Sequence, residues 1–188
     1  MELKNILFTS LLVTAFLVTS IMSLQIAKKI TTAHQSSQNS PNFFMTDVVY
    51  YDFDIDGKII NQIEASKMSH FKTNDNYLFK LPKITTHSAK NQEIWRITAR
   101  YGSSTKGKSV ISLWDKVTAT KIQSTTDNYS DISTDSANFY PTTKFLETTS
   151  QVKIVENNHI TEATGAKADL KSGIIKLISN VKTQYLIH

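Results

Sequence analysis

Residues 93–101 read EIWRITARY, and the fold is decided in that stretch. Trp95, Ile97, Ala99 and Tyr101 alternate with Arg96, Thr98 and Arg100. A period of two places the first set on one face of a β-strand and the second on the other, so one face is oily and one is wet. Ala99 is also the mark of a repeat. Similar runs carry Ala65, Ala137 and Ala168, so that the four alanines stand 34, 38 and 31 residues apart. Each is followed, across a polar turn, by a second run around Ile84, Val117, Val152 or Val181, spaced 33, 35 and 29. Two marks drifting in step describe one two-strand unit used four times. Because a lone hairpin cannot bury its apolar face, such units must stack into one extended β structure with a continuous interior.

The same period extends outward. The last run alternates Ile175, Leu177, Val181, Tyr185 and Ile187 against Lys176, Asn180, Lys182 and Gln184. Phase is lost around 131–139, where bulges are expected. Turn chemistry falls at Asp56-Gly57 and at 73–76, 90–92, 103–107, 126–128, 140–142, 156–158 and 171–173, which predicts about nine strands. Five glycines and three prolines are few for a propeller or a tightly closed barrel. The expectation is an all-β, folded-over antiparallel sheet, V-shaped in section, with an unpaired strand at each end.

Ahead of it, residues 5–27 run 23 positions without a charge, between Lys4 and Lys28-Lys29. As a helix this stretch reaches about 35 Å, enough to cross a hydrocarbon core of about 30 Å. A cleavable signal peptide is the alternative, because Val18-Thr19-Ser20 and Ile21-Met22-Ser23 resemble small-residue cleavage sites. The run continues to Ile26 and stops at two lysines, as retained anchors do. Thr9, Ser10, Thr14, Thr19, Ser20 and Ser23 suit close packing against other membrane helices. The predicted organisation is an anchor over 1–30, a polar tether over 31–41 and a β domain over 42–188. Either fate of the leader delivers the domain out of the cytoplasm.

Composition excludes several classes. The chain has no cysteine, hence no disulfide, thiolate zinc site or cysteine nucleophile. Beyond residue 30 there are 18 basic against 15 acidic residues, an excess of three that does not resemble a nucleic-acid binder. Asp52-Phe53-Asp54-Ile55-Asp56-Gly57 begins like a calcium loop, but position twelve is Ile63 rather than glutamate, so it reads as an acidic hairpin turn. His34, His70, His87, His159 and His188 show no ligand spacing, and no serine lies in a nucleophile elbow. No metal, cofactor or enzymatic activity is expected.

Several pieces in order then resemble the LptC family, the inner-membrane-anchored periplasmic component of the lipopolysaccharide export bridge. They are Asp56-Gly57 before Ile63-Glu64-Ala65, Tyr77-Leu78-Phe79-Lys80-Leu81-Pro82, Ile94-Trp95-Arg96-Ile97-Thr98-Ala99, Leu113-Trp114-Asp115-Lys116-Val117, Thr134-Asp135-Ser136-Ala137, residues 165–170 and Val181-Lys182-Thr183-Gln184-Tyr185. The resemblance implies an open, twisted, V-shaped β-jellyroll like that of LptA, preceded by one transmembrane helix with its N-terminus in the cytoplasm. It implies lipopolysaccharide as cargo, an ABC transporter of LptB, LptF and LptG at the first strand (46–55), and an LptA-like protein at the last (174–187). By resemblance, Val48, Phe79, Ile175 and Tyr185 face the lipid; alternation adds Trp95, Ile97, Leu177 and Val181. The alternatives are a structural envelope adaptor with a dry core and a processed, soluble periplasmic lipid carrier.

Overall fold

The computed structural model describes residues 19, 20, 22, 40–87, 94–105, 109–122, 130–156 and 158–185. The chain divides into two units, Met1–Ser40 and Pro41–His188. Apart from the helical Thr19, Ser20 and Met22, the expected membrane span lies outside the described residues, as does the tether up to residue 39. No helix among the described residues is long and apolar enough to cross a membrane.

The second unit is all β. Its strands are β1 (Phe43–Phe53), β2 (Ile59–Phe71), β3 (Asn76–Lys80), β4 (Lys83–His87), β5 (Ile94–Thr98), β6 (Tyr101–Thr105), β7 (Ile111–Ile122), β8 (Ser130–Tyr140), β9 (Phe145–Glu156), β10 (His159–Asp169) and β11 (Ile174–Tyr185). All belong to one sheet, with β1 at one edge and β11 at the other. β3 with β4, and β5 with β6, each make a single pass, so eleven strands form the nine passes expected. The break between β3 and β4 has a backbone cause. Leu81 is left-handed at φ 50°, and Pro82 behind it has no N–H to give a ladder. Opposite, Leu81 N donates to Arg100 O at 2.8 Å and Ala99 N to Pro82 O at 3.2 Å, which carries the break across to β5 and β6.

That break belongs to a crease running across the whole sheet. Asp47 in β1, Asp115 and Lys116 in β7 and Asn180 in β11 also hold positive φ, as does Gly165 in β10. Register slips accompany it between Trp114 and Val117, Thr134 and Asn138, Thr164 and Ala166, and Glu162 and Thr164. Extra residues of this kind bend a strand and increase its twist. Every long strand is therefore two half-strands: β2 pairs with β4 before the crease and with β3 after it. The two half-sheets pack their inner faces into one cluster that includes Ile84, Trp95, Ile97, Val117, Phe139, Val152 and Leu170.

The repeat seen in the sequence is one hairpin: β2 with β3/β4, β5/β6 with β7, β8 with β9, and β10 with β11. Ala65, Ala99, Ala137 and Ala168 are 4–7% exposed, at or near the crease where converging halves leave room for little more than a methyl. Ile84, Val117 and Val152 are 0–2% exposed, whereas Val181, on the terminal strand, is 52% exposed.

Two boundaries differ from expectation. The serines at 103–104, expected in a turn, lie inside β6 because they pair with β3 and β7. The first strand is Phe43–Phe53, since the acidic run leaves it at Asp54. The Asp54 carboxylate accepts from the backbone of Asp56 at 2.9 Å and of Lys58 at 2.8 Å, and Gly57 takes φ 77°. The calcium-like motif is a capped hairpin turn.

Candidate functional site

Register turns the inner face into rows running perpendicular to the strands. One row in the first half-sheet passes through Tyr50, Ile63, Ile84, Ile97, Ala119, Ile132 and Ile154 before reaching Thr161 and Thr183. In the second half-sheet, Phe43, His70, Tyr77, Ser104, Ile111, Phe139, Leu146, Ala168 and Ile175 form another. At about 4.8 Å per strand, nine passes make a track of roughly 40 Å. The rim row of the first half-sheet is polar by contrast: Asp52, Asn61, Thr86, Trp95, Lys121, Ser130, Glu156, His159 and Tyr185.

The track is not uniform. At the β1 end it opens into an apolar pocket of 360 Å³ whose lining includes Phe43, Met45, Val48, Ile63, Met68 and Phe79. In the middle, Ile84, Trp95, Ile97 and Phe139 are 0–1% exposed and fill the space between the halves. At the β11 end Ile175 and Leu177 pack against the cluster, while Val181 and Tyr185 are 52% and 73% exposed.

All eight residues expected at the lipid thus fall on the inner face, in three different settings. Val48 and Phe79 line the open pocket. Trp95 and Ile97 lie in the filled middle. Ile175, Leu177, Val181 and Tyr185 stand on the terminal strand.

Sequence reasoning set the histidines aside, and two of them hold the ends. His70 bonds Asn42 Oδ1 through Nδ1 and Asp75 Oδ1 through Nε2, both at 2.8 Å, with its ring 5.0 Å from Phe43 and 4.5 Å from Tyr77. It pins the start of β1 over the pocket. His159 bonds Glu156 at 2.8 Å and lies 5.9 Å from the Tyr185 ring. The signal available was a carboxylate within five residues of each histidine, Asp75 for His70 and Glu156 for His159.

Polar atoms also face inward. Among the described residues, Asn61 Oδ1, Trp95 Nε1 and Ser104 Oγ are buried without a hydrogen-bond partner. Ser104 lines the β1-end pocket.

No curated protein matches the chain significantly. Among solved structures it is similar to LptH of Pseudomonas aeruginosa, described as the LptA-homologous periplasmic component of the conserved lipopolysaccharide transport device. The TM-score is 0.50 at 8% identity, over 80% of this chain and 98% of that one, a likeness of fold. The family profile for lipopolysaccharide-assembly, LptC-related proteins matches residues 11–186. Creased sheet, inner track and profile agree: the chain belongs to the LptC family and serves the lipopolysaccharide transport bridge.

Proposed function

We propose that this chain receives lipopolysaccharide at its β1 end and passes it across the inner face to its β11 end, without chemistry of its own. The supporting observation is a single inner face that is apolar at both sheet edges, with a 360 Å³ pocket at one and exposed Val181 and Tyr185 at the other. Burying one methylene is worth about 0.8 kcal/mol, so a 12-carbon chain resists water by on the order of 10 kcal/mol. Acyl chains need an oily surface that continues from protein to protein. An edge strand provides that continuity, because a neighbour that adds a strand to it also extends its inner face.

In this reading β1 meets the periplasmic part of the LptB, LptF and LptG transporter, which hydrolyses ATP, and β11 meets an LptA-like protein. Residues 1–30 hold the domain at the inner membrane with the N-terminus in the cytoplasm and dock among transporter helices. Val48, Phe79, Ile175, Leu177, Val181 and Tyr185 touch lipid in the resting arrangement, and Trp95 and Ile97 touch it once the middle opens. Photo-crosslinking residues at Phe79 and Tyr185 are expected to capture lipopolysaccharide in cells. Capture at neither position removes the proposal.

The packed middle favours a second reading, a structural adaptor with a dry interior. Against it stand Trp95 Nε1 and Ser104 Oγ, which find no partner among the described residues, since unpaired polar atoms in a permanently sealed core cost about 1–3 kcal/mol each. The same crosslinking decides between them, because an adaptor yields protein adducts without lipid.

A further inference from the structure

The two half-sheets are joined by backbone at the crease, and among the described residues no strand pairing joins them at the opposite rims. A lysine side chain crosses that gap. Lys144, in the turn between β8 and β9, sends its Nζ to donate to the backbone carbonyl of His87 at the end of β4, on the other half-sheet. Lys144 is 7% exposed, an unusual burial for a lysine. Its backbone is fixed as well: φ is 56°, and its carbonyl accepts from Leu170 N at 3.0 Å. Leu170 is itself 1% exposed and part of the central cluster. This contact thus ties the turns after β8 and β10 to the end of β4.

We propose that Lys144 is a latch across the mouth of the sheet, and that acyl chains pass from the β1 pocket to the β11 edge only when it lets go of His87. The inference rests on the transport reading above. The latch sits where the track is shut: Trp95, directly paired with Thr86 beside His87, and Phe139, near the start of the β8–β9 turn, are 1% and 0% exposed. Burial pushes the Lys144 amine below its ordinary pKa and the Lys171 charge pushes it further, while Asp52 and Asp54 pull it back up. Asp52 belongs to β1, so the strand that takes a partner also bears on the latch electrostatically.

A lysine–carbonyl contact is weak enough to open on demand. A charge-assisted hydrogen bond of this kind biases open against closed by roughly tenfold. A mere stabiliser would change the amount of folded protein, whereas a latch changes how lipid divides between the two ends.

The test uses the full-length chain with its transporter in proteoliposomes and a photo-crosslinker at Phe79 or at Tyr185. The readout is the ratio of lipopolysaccharide captured at Tyr185 to that captured at Phe79. Lys144→Met, which keeps the apolar stem, is expected to raise the ratio about fivefold. Because the chain lacks cysteine, the pair His87→Cys and Lys144→Cys can be bridged selectively by a short bis-thiol reagent. Bridging should leave capture at Phe79 and reduce capture at Tyr185 to about a tenth, with the unbridged double variant as reference. An unchanged ratio in both arms overturns the latch while leaving transport standing. Capture at neither site in the unaltered chain overturns both.

Discussion

The two edges of the sheet are built differently. β1 is apolar on both sides: Met45, Val48 and Tyr50 face inward, while Phe44, Val49 and Tyr51 face outward at 61%, 50% and 43% exposed. The Phe53 ring lies 6.2 Å from Tyr51 and Lys67 Nζ lies 4.7 Å from the Phe44 ring centroid, extending the outer patch. On β11 the inner side carries Ile175, Leu177, Val181 and Tyr185 with Thr183 among them, and the outer side mixes Ile174 and Ile178, 66% and 54% exposed, with Lys176, Lys182 and Gln184. Lysines on an edge strand discourage indiscriminate pairing, whereas an edge oily on both faces has the make-up of an obligate interface. The clamps follow the same division, since the His70 side chain is 11% exposed and that of His159 31%. The contrast fits the proposed division, in which one end stays covered and the other is taken up and released.

The largest test of that contrast is at the outer faces. Val49→Asp with Tyr51→Asp should weaken transporter association by at least about a hundredfold, as charge buried in a hot spot does. Ile178→Asp, on the outer side of β11, should weaken capture of the next bridge protein by only about tenfold. Pull-down titrations read both, and equal losses erase the distinction.

Next come the inner faces. Phe79→Ala should cost about 3 kcal/mol of folding stability because the side chain is 6% exposed. Tyr185→Ala should stay within about 0.5 kcal/mol because it is 73% exposed, and on the proposed reading it should lower lipid capture. Denaturant unfolding of both variants compares them directly.

A smaller effect belongs to the crease beneath β11. A Cβ at Gly165, which holds φ 76°, meets Ile178 Cδ1 at 2.9 Å. Gly165→Ala should therefore cost about 1–2 kcal/mol, and adding Ile178→Ala should restore only part, because the backbone strain stays.

The smallest is acid sensitivity. Hydrogen bonds from Ser172 and Lys171 hold the Asp169 carboxyl below its ordinary 3.8, and Asp169 closes the β10–β11 turn. A depressed carboxyl stabilises the fold above the unfolded value and stops doing so as pH falls through the folded one. Amide exchange in β11 should thus quicken below about pH 4 before that in β1, by less than about 1 kcal/mol given the exposure of Asp169. Simultaneous loosening at both ends would count against an independently held β11.

The rows of the inner face were legible because a period of two needs only residue type, and Ile84, Ile97, Ile132 and Ile154 announce themselves. The crease was written less openly. Its trace is a loss of phase, with Ile63 and Ala65 inward before it and Met68 after it, or Ile132 before and Ala137 after. Pro82 is the sequence mark of the broken pass, and it was not read as one. The left-handed torsions at Asp115 and Lys116 left no mark, since neither residue is glycine. Nothing in the sequence singled out Lys144, because its burial depends on a half-sheet more than fifty residues away.

At the crease, five residues with side chains, Asp47, Leu81, Asp115, Lys116 and Asn180, occupy the left-handed region. Gly165 in β10 is freer to roam, whereas these five residues have a narrow well with steep walls. The spine of this molecule is consequently stiff. Widening to admit cargo must come from movement at the lips, as a clothes peg with a rigid back opens only by bending its arms.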